Sequence, residues 1–166
     1  MIHVVPPQTA PDFIRKSPLA DAAGWVDVDP DTLRHKSWPN IYALGDAANL
    51  PTSKAGSVAH FSVEVLKNNF VALVNGRPMP EAFDGHANCF IESGNGKAML
   101  IDFNYDTEPL TGTYPVPYAG PLSLLKETRA NHLGKLAFRH VYWNALLPGR
   151  PLGLPGAMSM TGKNPA

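Results

Sequence analysis

Short apolar runs mark the elements of the first third of the chain. Residues 25–29 alternate apolar and polar side chains, and residues 32–35 can return beside them, which predicts a β-hairpin. Residues 41–44 form a continuous apolar run, which is typical of a strand buried on both faces. This part of the sequence therefore predicts a hairpin followed by a short buried strand.

A long helix is predicted from residue 57 to residue 75. Its apolar positions recur every three or four residues, and Gly76 and Pro78 supply the stop signal. The positions that mark the apolar face of this helix are Val63, Leu66, Phe70 and Leu73.

A second hairpin follows residue 80. Residues 89–92 and 98–103 flank the sequence S-G-N-G at residues 93–96, and the residues of that sequence tolerate positive φ. A β-hairpin is therefore predicted here. Residues 107–121 contain four prolines, so they are predicted to form an irregular crossing.

The C-terminal part has a helical pattern and then a flexible composition. Residues 122–147 have the pattern of one or two amphipathic helices with a break near Gly134. Residues 148–166 are rich in Gly and Pro, which predicts poor order. Together the patterns predict an α+β chain with a boundary between residues 78 and 79.

The composition limits the class of protein. With 166 residues, of which 44% are hydrophobic, the chain can bury one ordinary core or two small ones. It has no run of about 18 apolar residues and no signal-peptide pattern, so we expect a soluble or surface-bound intracellular protein. The single cysteine, Cys89, excludes an internal disulfide and a Cys-rich zinc site within this chain, and no metal site is expected.

The net charge of zero hides two oppositely charged parts. Residues 1–120 carry eight Lys and Arg against 13 Asp and Glu, whereas residues 121–166 carry six against one. A basic segment that is also rich in Leu and aromatic residues suits an anionic membrane surface better than nucleic acid. The alternative is a helix pair packed on the core with its charges in solvent.

The residues around Gly45 and Asp46 have the chemistry of a flavin site. A strand that ends in Gly-Asp lets the backbone pass close to a ligand, and the carboxylate accepts hydrogen bonds from hydroxyls such as those of a ribityl chain. Gly56 opens the predicted helix, whose free N–H groups suit a flavin edge that gains negative charge, and Lys54 adds positive charge there. The same residues also suit an ordinary turn and helix cap.

The longer sequence around these residues resembles a known family. The sequence N-I-Y-A-L-G-D at residues 40–46 is similar to the second FAD-contacting motif of flavoproteins with two dinucleotide-binding domains. The extension N-L-P-T-S-K at residues 49–54 resembles the sulfide:quinone oxidoreductases more specifically. Further segments that fit this family are residues 6–7, 17–20, 24–28 and 142–144, and those that resemble its type III branch are residues 85–90, 101–105 and 147–150.

The resemblance implies an oxidoreductase that uses FAD to pass electrons from sulfide to a membrane quinone. Residues 1–78 would be the C-terminal part of an FAD-binding Rossmann-like domain, and residues 79–166 would be a C-terminal domain facing the quinone and the membrane. The FAD contacts that it implies are Gly45, Asp46, Lys54, Ala55 and Gly56.

The resemblance also gives Cys89 a role. A lone cysteine on a strand is more often a small buried hydrophobe. In the family, a cysteine at the matching place lies beside the flavin and forms a polysulfur bridge with a second redox residue from the N-terminal half. Sulfide attacks the bridge, and the released thiolate delivers electrons to the flavin. Cys89 would be the flavin-side thiol of that pair.

Aromatic residues are the implied quinone contacts. Phe90 lies next to Cys89, and Phe138 and Tyr142 lie in the predicted C-terminal helices. The alternative is that these rings belong to the core, as aromatic residues at helical spacing usually do. The basic, Leu-rich tail would hold the site against the bilayer, so a peripheral membrane location is expected, on a face that the resemblance leaves open.

One part of the family pattern is missing from this sequence. There is no G-x-G-x-x-G between a strand and a helix, so the site for adenine and pyrophosphate is absent. We therefore interpret the chain as the C-terminal portion of a longer flavoprotein, with Met1 at an internal position and no activity on its own. We also expect it to self-associate through surface that the N-terminal half would cover.

Two other interpretations stay open. One is a related flavoprotein, such as a type II NADH dehydrogenase or the flavoprotein of flavocytochrome c sulfide dehydrogenase. The other is a non-enzymatic fragment that binds membranes or another chain.

Overall fold

The computed structural model of the chain describes residue 2 and residues 4–150, 152–153 and 155–164. Its elements confirm the predicted α+β class, whereas the boundary between residues 78 and 79 stays a prediction. The helices are α1 (Asp12–Arg15), α2 (Gly56–Val74) and α3 (Arg129–Val141), and the strands are β1 (Ala87–Gly94), β2 (Lys97–Phe103), β3 (Thr111–Val116), β4 (Gly120–Leu124) and β5 (Lys163–Asn164).

The segment before α2 is held by isolated backbone pairs. Val28 pairs with His35, which places the two arms of the predicted hairpin side by side without forming regular strands. The predicted strand at residues 41–44 is wrong: its only bridge joins Tyr42 to Arg34, and all four residues are half-buried. Prolines flank these arms and lack the N–H that a ladder needs, so pairing does not extend.

Helix α2 confirms the predicted helix but buries a different face. Ser62 and Asn69 are fully buried, together with Val58, Phe61, Val65 and Ala72, which are the apolar residues of that face. The Asn69 side chain replaces a backbone partner, because its amide donates to the Glu81 carbonyl (2.8 Å) and its oxygen accepts from the Glu81 N–H (3.0 Å). The buried face of α2 thus includes two polar side chains, Ser62 and Asn69, which have hydrogen-bond partners, and the hydropathy pattern therefore did not identify this face.

The residues predicted to mark the apolar face of α2 lie mainly on its open side. Val63, Phe70 and Leu73 are each between 43% and 53% exposed, although Leu66 packs against the core. An apolar strip on α2 is thus left uncovered. The expected self-association of the chain stays a prediction.

The hairpin of β1 and β2 is confirmed, with a two-residue loop. Gly94 pairs with Lys97, so Asn95 and Gly96 alone form the connection. Their φ values are 52° and 66°, as a type I′ turn requires.

The predicted irregular crossing at residues 107–121 is wrong. It contains β3 and the start of β4, and the sheet order is β1-β2-β4-β3-β5. Pro115 and Pro121 stand opposite each other in the β3–β4 pair, so the prolines share one point of the ladder. Strand β4 lies parallel to β2 through Leu100 and Leu124, whose side chains are buried.

Helix α3 begins later than predicted and is unbroken. Thr128 caps it by accepting a hydrogen bond from the Asn131 N–H (3.0 Å), and it continues into a π-helical turn (Tyr142–Leu146). The expected break at Gly134 is wrong, since this glycine permits close packing instead. A Cβ there would lie 3.0 Å from Leu122 and 3.5 Å from Phe90.

The expectation of poor order after residue 148 is wrong for residues 155–164. Strand β5 pairs with β3, and the Met158 N–H donates to the Asp84 carboxylate (2.8 Å). Lys163 is buried and its ammonium lies 2.6 Å from the Asp102 carboxylate. Residues 151, 154, 165 and 166, to which the same expectation applied, lie outside the described residues.

Asp102 is buried between His86 and Lys163, and its contacts with them favour its ionised form. Burial opposes its charge, but hydrogen bonds from His86 and Lys163 outweigh that effect and lower the pKa of Asp102 below its usual value. A carboxyl group with a lowered pKa stabilises the fold above its unfolded pKa, and this contribution is lost as the pH falls through the folded pKa.

We predict that Lys163→Met lowers the free energy of unfolding by about 3 kcal/mol at pH 7, because it removes one partner of a buried ion pair. Its acid unfolding should also begin at a higher pH than that of the wild type. Urea unfolding over a series of pH values measures both effects. Lys97→Met, at an exposed hairpin position, is the control. Equal stability of the two variants would contradict the prediction.

We predict that Gly134→Ala destabilises the chain by about 1 kcal/mol. Overpacking against Leu122 and Phe90 costs roughly 1–3 kcal/mol, whereas alanine gains only about 1 kcal/mol of helix propensity. Ala137→Gly, at an exposed position of α3, calibrates the propensity term alone. The prediction is contradicted if Gly134→Ala raises the free energy of unfolding by as much as Ala137→Gly lowers it, because the close packing would then have no energetic role.

Candidate functional site

An apolar pocket of about 460 Å³ opens between the first turns of α2, strand β1, and helix α3 with the π-helical turn that follows it. This volume is in the range of small-molecule sites. The pocket brings together five of the residues that the sequence analysis singled out: Gly56, Cys89, Phe90, Phe138 and Tyr142. Its other lining residues are Ser57, His60, Phe61, Asn88, Tyr114, Lys135, Leu146, Leu147 and Leu152.

Cys89 lies on β1 and faces the start of α2. Its Sγ is 4.0 Å from the hydroxyl of Ser57, and that hydroxyl also accepts a hydrogen bond from the Asn88 N–H (3.1 Å). Ser57 therefore attaches strand β1, which carries the thiol, to the first turn of α2. No side chain caps this helix, whose preceding residue is Ala55, so its N-terminal N–H groups are available to a ligand.

Aromatic rings line the far side of the pocket. Phe90 is half-buried beside Gly134 of α3, whereas Phe138 and Tyr142 are each 43% exposed. Trp143 stacks edge-on against Tyr142, with ring centroids 5.6 Å apart. Phe138 and Tyr142 are too exposed to be core residues, so the alternative that their rings belong to the core is not supported.

Charged side chains stand at the edges of the pocket. Lys135 of α3 lies 3.4 Å from the Glu92 carboxylate, which also accepts from His132 (3.0 Å). His60 of α2 lies 3.5 Å from Glu64. Lys135 and His60 therefore approach the pocket from opposite helices.

A second cleft, of about 660 Å³, contains Asp46 and Lys54. The Lys54 ammonium lies 3.9 Å from the centre of the Trp25 ring and donates to the Ala48 carbonyl (2.9 Å). Burial lowers the pKa of Lys54, although the charge of Asp46 opposes this shift. The Asp46 residue is itself exposed to solvent.

Gly45 joins this cleft to α2. It is buried with φ of 59°, and a Cβ there would lie 3.3 Å from the Cβ of Ala59. Both the backbone conformation and the approach of α2 therefore favour glycine. The loop that follows contains a buried hydroxyl, Ser53 Oγ, without a partner among the described residues.

The predicted site residues thus fall into two groups on either side of the α2 N-terminus. Asp46 and Lys54 line one cleft, and Gly56 lines the pocket that holds Cys89. Sequence reasoning missed Tyr114, because its segment was interpreted as irregular, and it missed Lys135, which carries no motif. Ser57 could have been found, since it follows the glycine that opens the helix.

The structure adds two findings about the described residues. None of their helices is long and apolar enough to cross a membrane. No group of three or more His, Cys, Asp or Glu side chains within this part of the chain is placed to hold a metal ion.

Comparison with known proteins identifies relatives over most of the chain. No protein-family model matches it. It is 40% identical over 151 residues to the mitochondrial sulfide:quinone oxidoreductase of Mus musculus, covering 90% of this chain and 32% of that protein. The proteins of the same name from Dictyostelium discoideum and Schizosaccharomyces pombe are 37% and 34% identical, over 92% and 87% of this chain and 33% and 31% of their own lengths.

A solved structure also shares the fold. A chain in the cryo-EM structure of the Tetrahymena thermophila mitochondrial ATP synthase, an F1Fo composite tetramer, matches with a TM-score of 0.58 and 28% identity. The match covers 84% of this chain and 30% of that one. The chain spans about a third of the length of the curated relatives it matches. Over that third, its sequence is similar to those of the sulfide:quinone oxidoreductases.

Proposed function

We propose that this chain forms the C-terminal part of an FAD-dependent sulfide:quinone oxidoreductase, which carries the reactive thiol and binds the quinone. The observation that carries the proposal is the pocket that places Cys89 and Phe90 beside the uncapped N-terminus of α2. The names of three relatives at 34–40% identity support the same reaction. They also favour it over the NADH dehydrogenase and flavocytochrome c alternatives.

The residues present fit a flavin. Asp46 offers an exposed carboxylate to hydroxyl groups, and the α2 N-terminus at Gly56 offers N–H donors to an electron-rich edge. The unpartnered Ser53 hydroxyl lies in the loop between them. A flavin bound here would supply two-electron transfer between sulfur and quinone. Gly45 and Ala55 would hold it through backbone contacts.

Cys89 would carry the sulfur chemistry. Its place beside Ser57 gives the thiol a fixed position at the pocket wall. In this proposal Cys89 forms one end of a sulfur bridge, and the remainder of the protein supplies the other end. Attack of sulfide on the bridge breaks a sulfur–sulfur bond and releases a thiolate, as in thiol–disulfide exchange.

The aromatic side of the pocket would bind the quinone. Phe90, Phe138 and Tyr142 offer ring faces and edges to a planar apolar ligand. Lys135 and His60 are placed to contact its oxygens. The pocket is thus apolar with a few convergent polar groups, as small-molecule sites usually are.

The C-terminal segment would attach the protein to a membrane surface. Its apolar side chains project outward beside basic residues, which suits a peripheral contact with anionic lipid. The residues exposed by 36–63% are Leu133, Leu136, Phe138, Val141, Tyr142, Trp143 and Leu147.

We predict that Cys89→Ser abolishes reduction by sulfide while leaving flavin binding intact. The polypeptide is expressed with its upstream coding sequence, and bleaching of the yellow flavin by sulfide is followed by absorbance. Loss of the thiol should slow bleaching by at least about 10³-fold, as removal of a nucleophile does.

Phe90→Leu provides the matched control for that experiment. It should leave bleaching by sulfide unchanged and slow only the recovery of yellow colour on adding quinone. A wild-type polypeptide that binds no flavin, or Cys89→Ser protein that bleaches normally, would overturn the proposal.

We predict that Leu133→Ser with Leu136→Ser weakens binding to vesicles containing anionic phospholipid by about 10² or more. Each buried leucine contributes roughly 1.5–3 kcal/mol, and each 1.4 kcal/mol is tenfold in affinity. Co-sedimentation measures the loss. Leu73→Ser, on the exposed strip of α2, is the control, and an equal loss there would show that the contact is not specific to the C-terminal segment.

A further inference from the structure

A buried acid–base cluster lies behind the apolar pocket and has no role in the proposed sulfur chemistry. Asp102 is at its centre, 2.7 Å from the Nε2 of His86 and 2.6 Å from the Nζ of Lys163. Asn88 donates to the same carboxylate (3.1 Å). His86, Asp102 and Lys163 are only 3–9% exposed. Burying such groups costs free energy that an apolar core would avoid.

His86 has a polar partner at each ring nitrogen. Its Nδ1 faces the Gly156 carbonyl (3.1 Å) and its Nε2 faces the Asp102 carboxylate. The ring therefore joins the carboxylate on β2 to the backbone at Gly156.

A small cavity of about 70 Å³ adjoins the cluster. Its polar lining residues are His86, Asp102, Thr113, Tyr114, Ser159, Thr161 and Lys163, and its apolar ones are Pro115, Pro117, Leu124, Pro155 and Ala157. A cavity of this size with several polar side chains in its wall has room for water molecules that could carry protons between them.

Tyr114 connects the cavity with the apolar pocket, because it lines both. Burial, with the nearby charge of Asp102, raises the pKa of Tyr114 to about 12, so the phenol keeps its hydrogen at neutral pH. Phe61 forms a second contact between the two sites. It lines the pocket and stacks flat on His86, with ring centroids 4.2 Å apart.

We propose that Tyr114 donates protons to a quinone bound in the apolar pocket, and that water in the adjoining cavity, which His86, Asp102 and Lys163 line, returns protons to Tyr114. This inference rests on the proposed function. A quinone that takes two electrons from a reductant also takes two protons. The phenolic O–H bond of Tyr114 breaks as a ring O–H bond forms, and the phenolate regains a proton from the cavity side. Two such transfers complete the hydroquinone.

Other titratable groups face the same pocket from its remaining walls. They are His60 on α2, Cys89 on β1, Lys135 on α3 and Tyr142 in the π-helical turn. A proton could reach the ring from any of them, so the test must compare Tyr114 with each.

The test uses the 166-residue chain without flavin, with menadione as the probe. Binding is followed by quenching of tryptophan fluorescence, and reduction of bound menadione by dithionite is followed by stopped-flow absorbance in H₂O and D₂O. Tyr114→Phe should bind menadione within about twofold of the wild type. It should slow protonation of the reduced ring by about 10²-fold, the usual contribution of a general acid, and lose the solvent isotope effect.

Variants separate the route from its alternatives. Asp102→Asn should shift the pH profile of the reduction, and Tyr118→Phe, on the exposed β3–β4 turn, should match the wild type. His60→Gln, Cys89→Ser, Lys135→Met and Tyr142→Phe should keep the isotope effect, even where they weaken the binding of menadione. If one of them loses it while Tyr114→Phe does not, the inference is overturned. If menadione does not bind the wild-type chain, the quinone pocket of the proposed function fails with it.

Discussion

The buried carboxylate of Asp102 is the interaction on which the second half of the structure depends. It lies on β2, and its partners come from three other places: His86 before β1, Asn88 within β1, and Lys163 in β5. An ionised carboxylate in such a position is tolerated only while these donors surround it. The same contacts therefore hold residues 156–163 in place and keep β5 paired with β3 at the edge of the sheet. They also form the wall behind the apolar pocket.

The two halves of the chain share an apolar core, to which Phe83 and Ala87 belong, and directional contacts also join them. The Ser57 hydroxyl accepts from the Asn88 N–H, and Phe61 stacks on His86, so both contacts join α2 to the start of β1. Cys89 follows Asn88 directly. Its position against the helix N-terminus is thus set by how the strand is attached, together with the 4.0 Å contact between its Sγ and the Ser57 hydroxyl.

Local signals made part of the fold predictable. Gly76 marked the end of α2, and Asn95 with Gly96 marked the turn between β1 and β2, because each effect acts within a few residues. Strand β3 was not predictable, since its prolines are tolerated only through the pairing of Pro115 with Pro121. The buried face of α2 was hidden by Asn69, whose bonds to Glu81 are set by tertiary structure.

The candidate site was also predictable only in part. Sequence motifs identify Gly45, Asp46 and Cys89, but they do not show how the Asp46 cleft and the Cys89 pocket are joined. Thr52, in the loop between them, donates to the Gly85 carbonyl (2.8 Å) just before β1. That bond ties the loop to the strand that carries the thiol. Because Thr52 lies between the two, the bond holds the Asp46 cleft and the Cys89 pocket in one arrangement on either side of the α2 N-terminus.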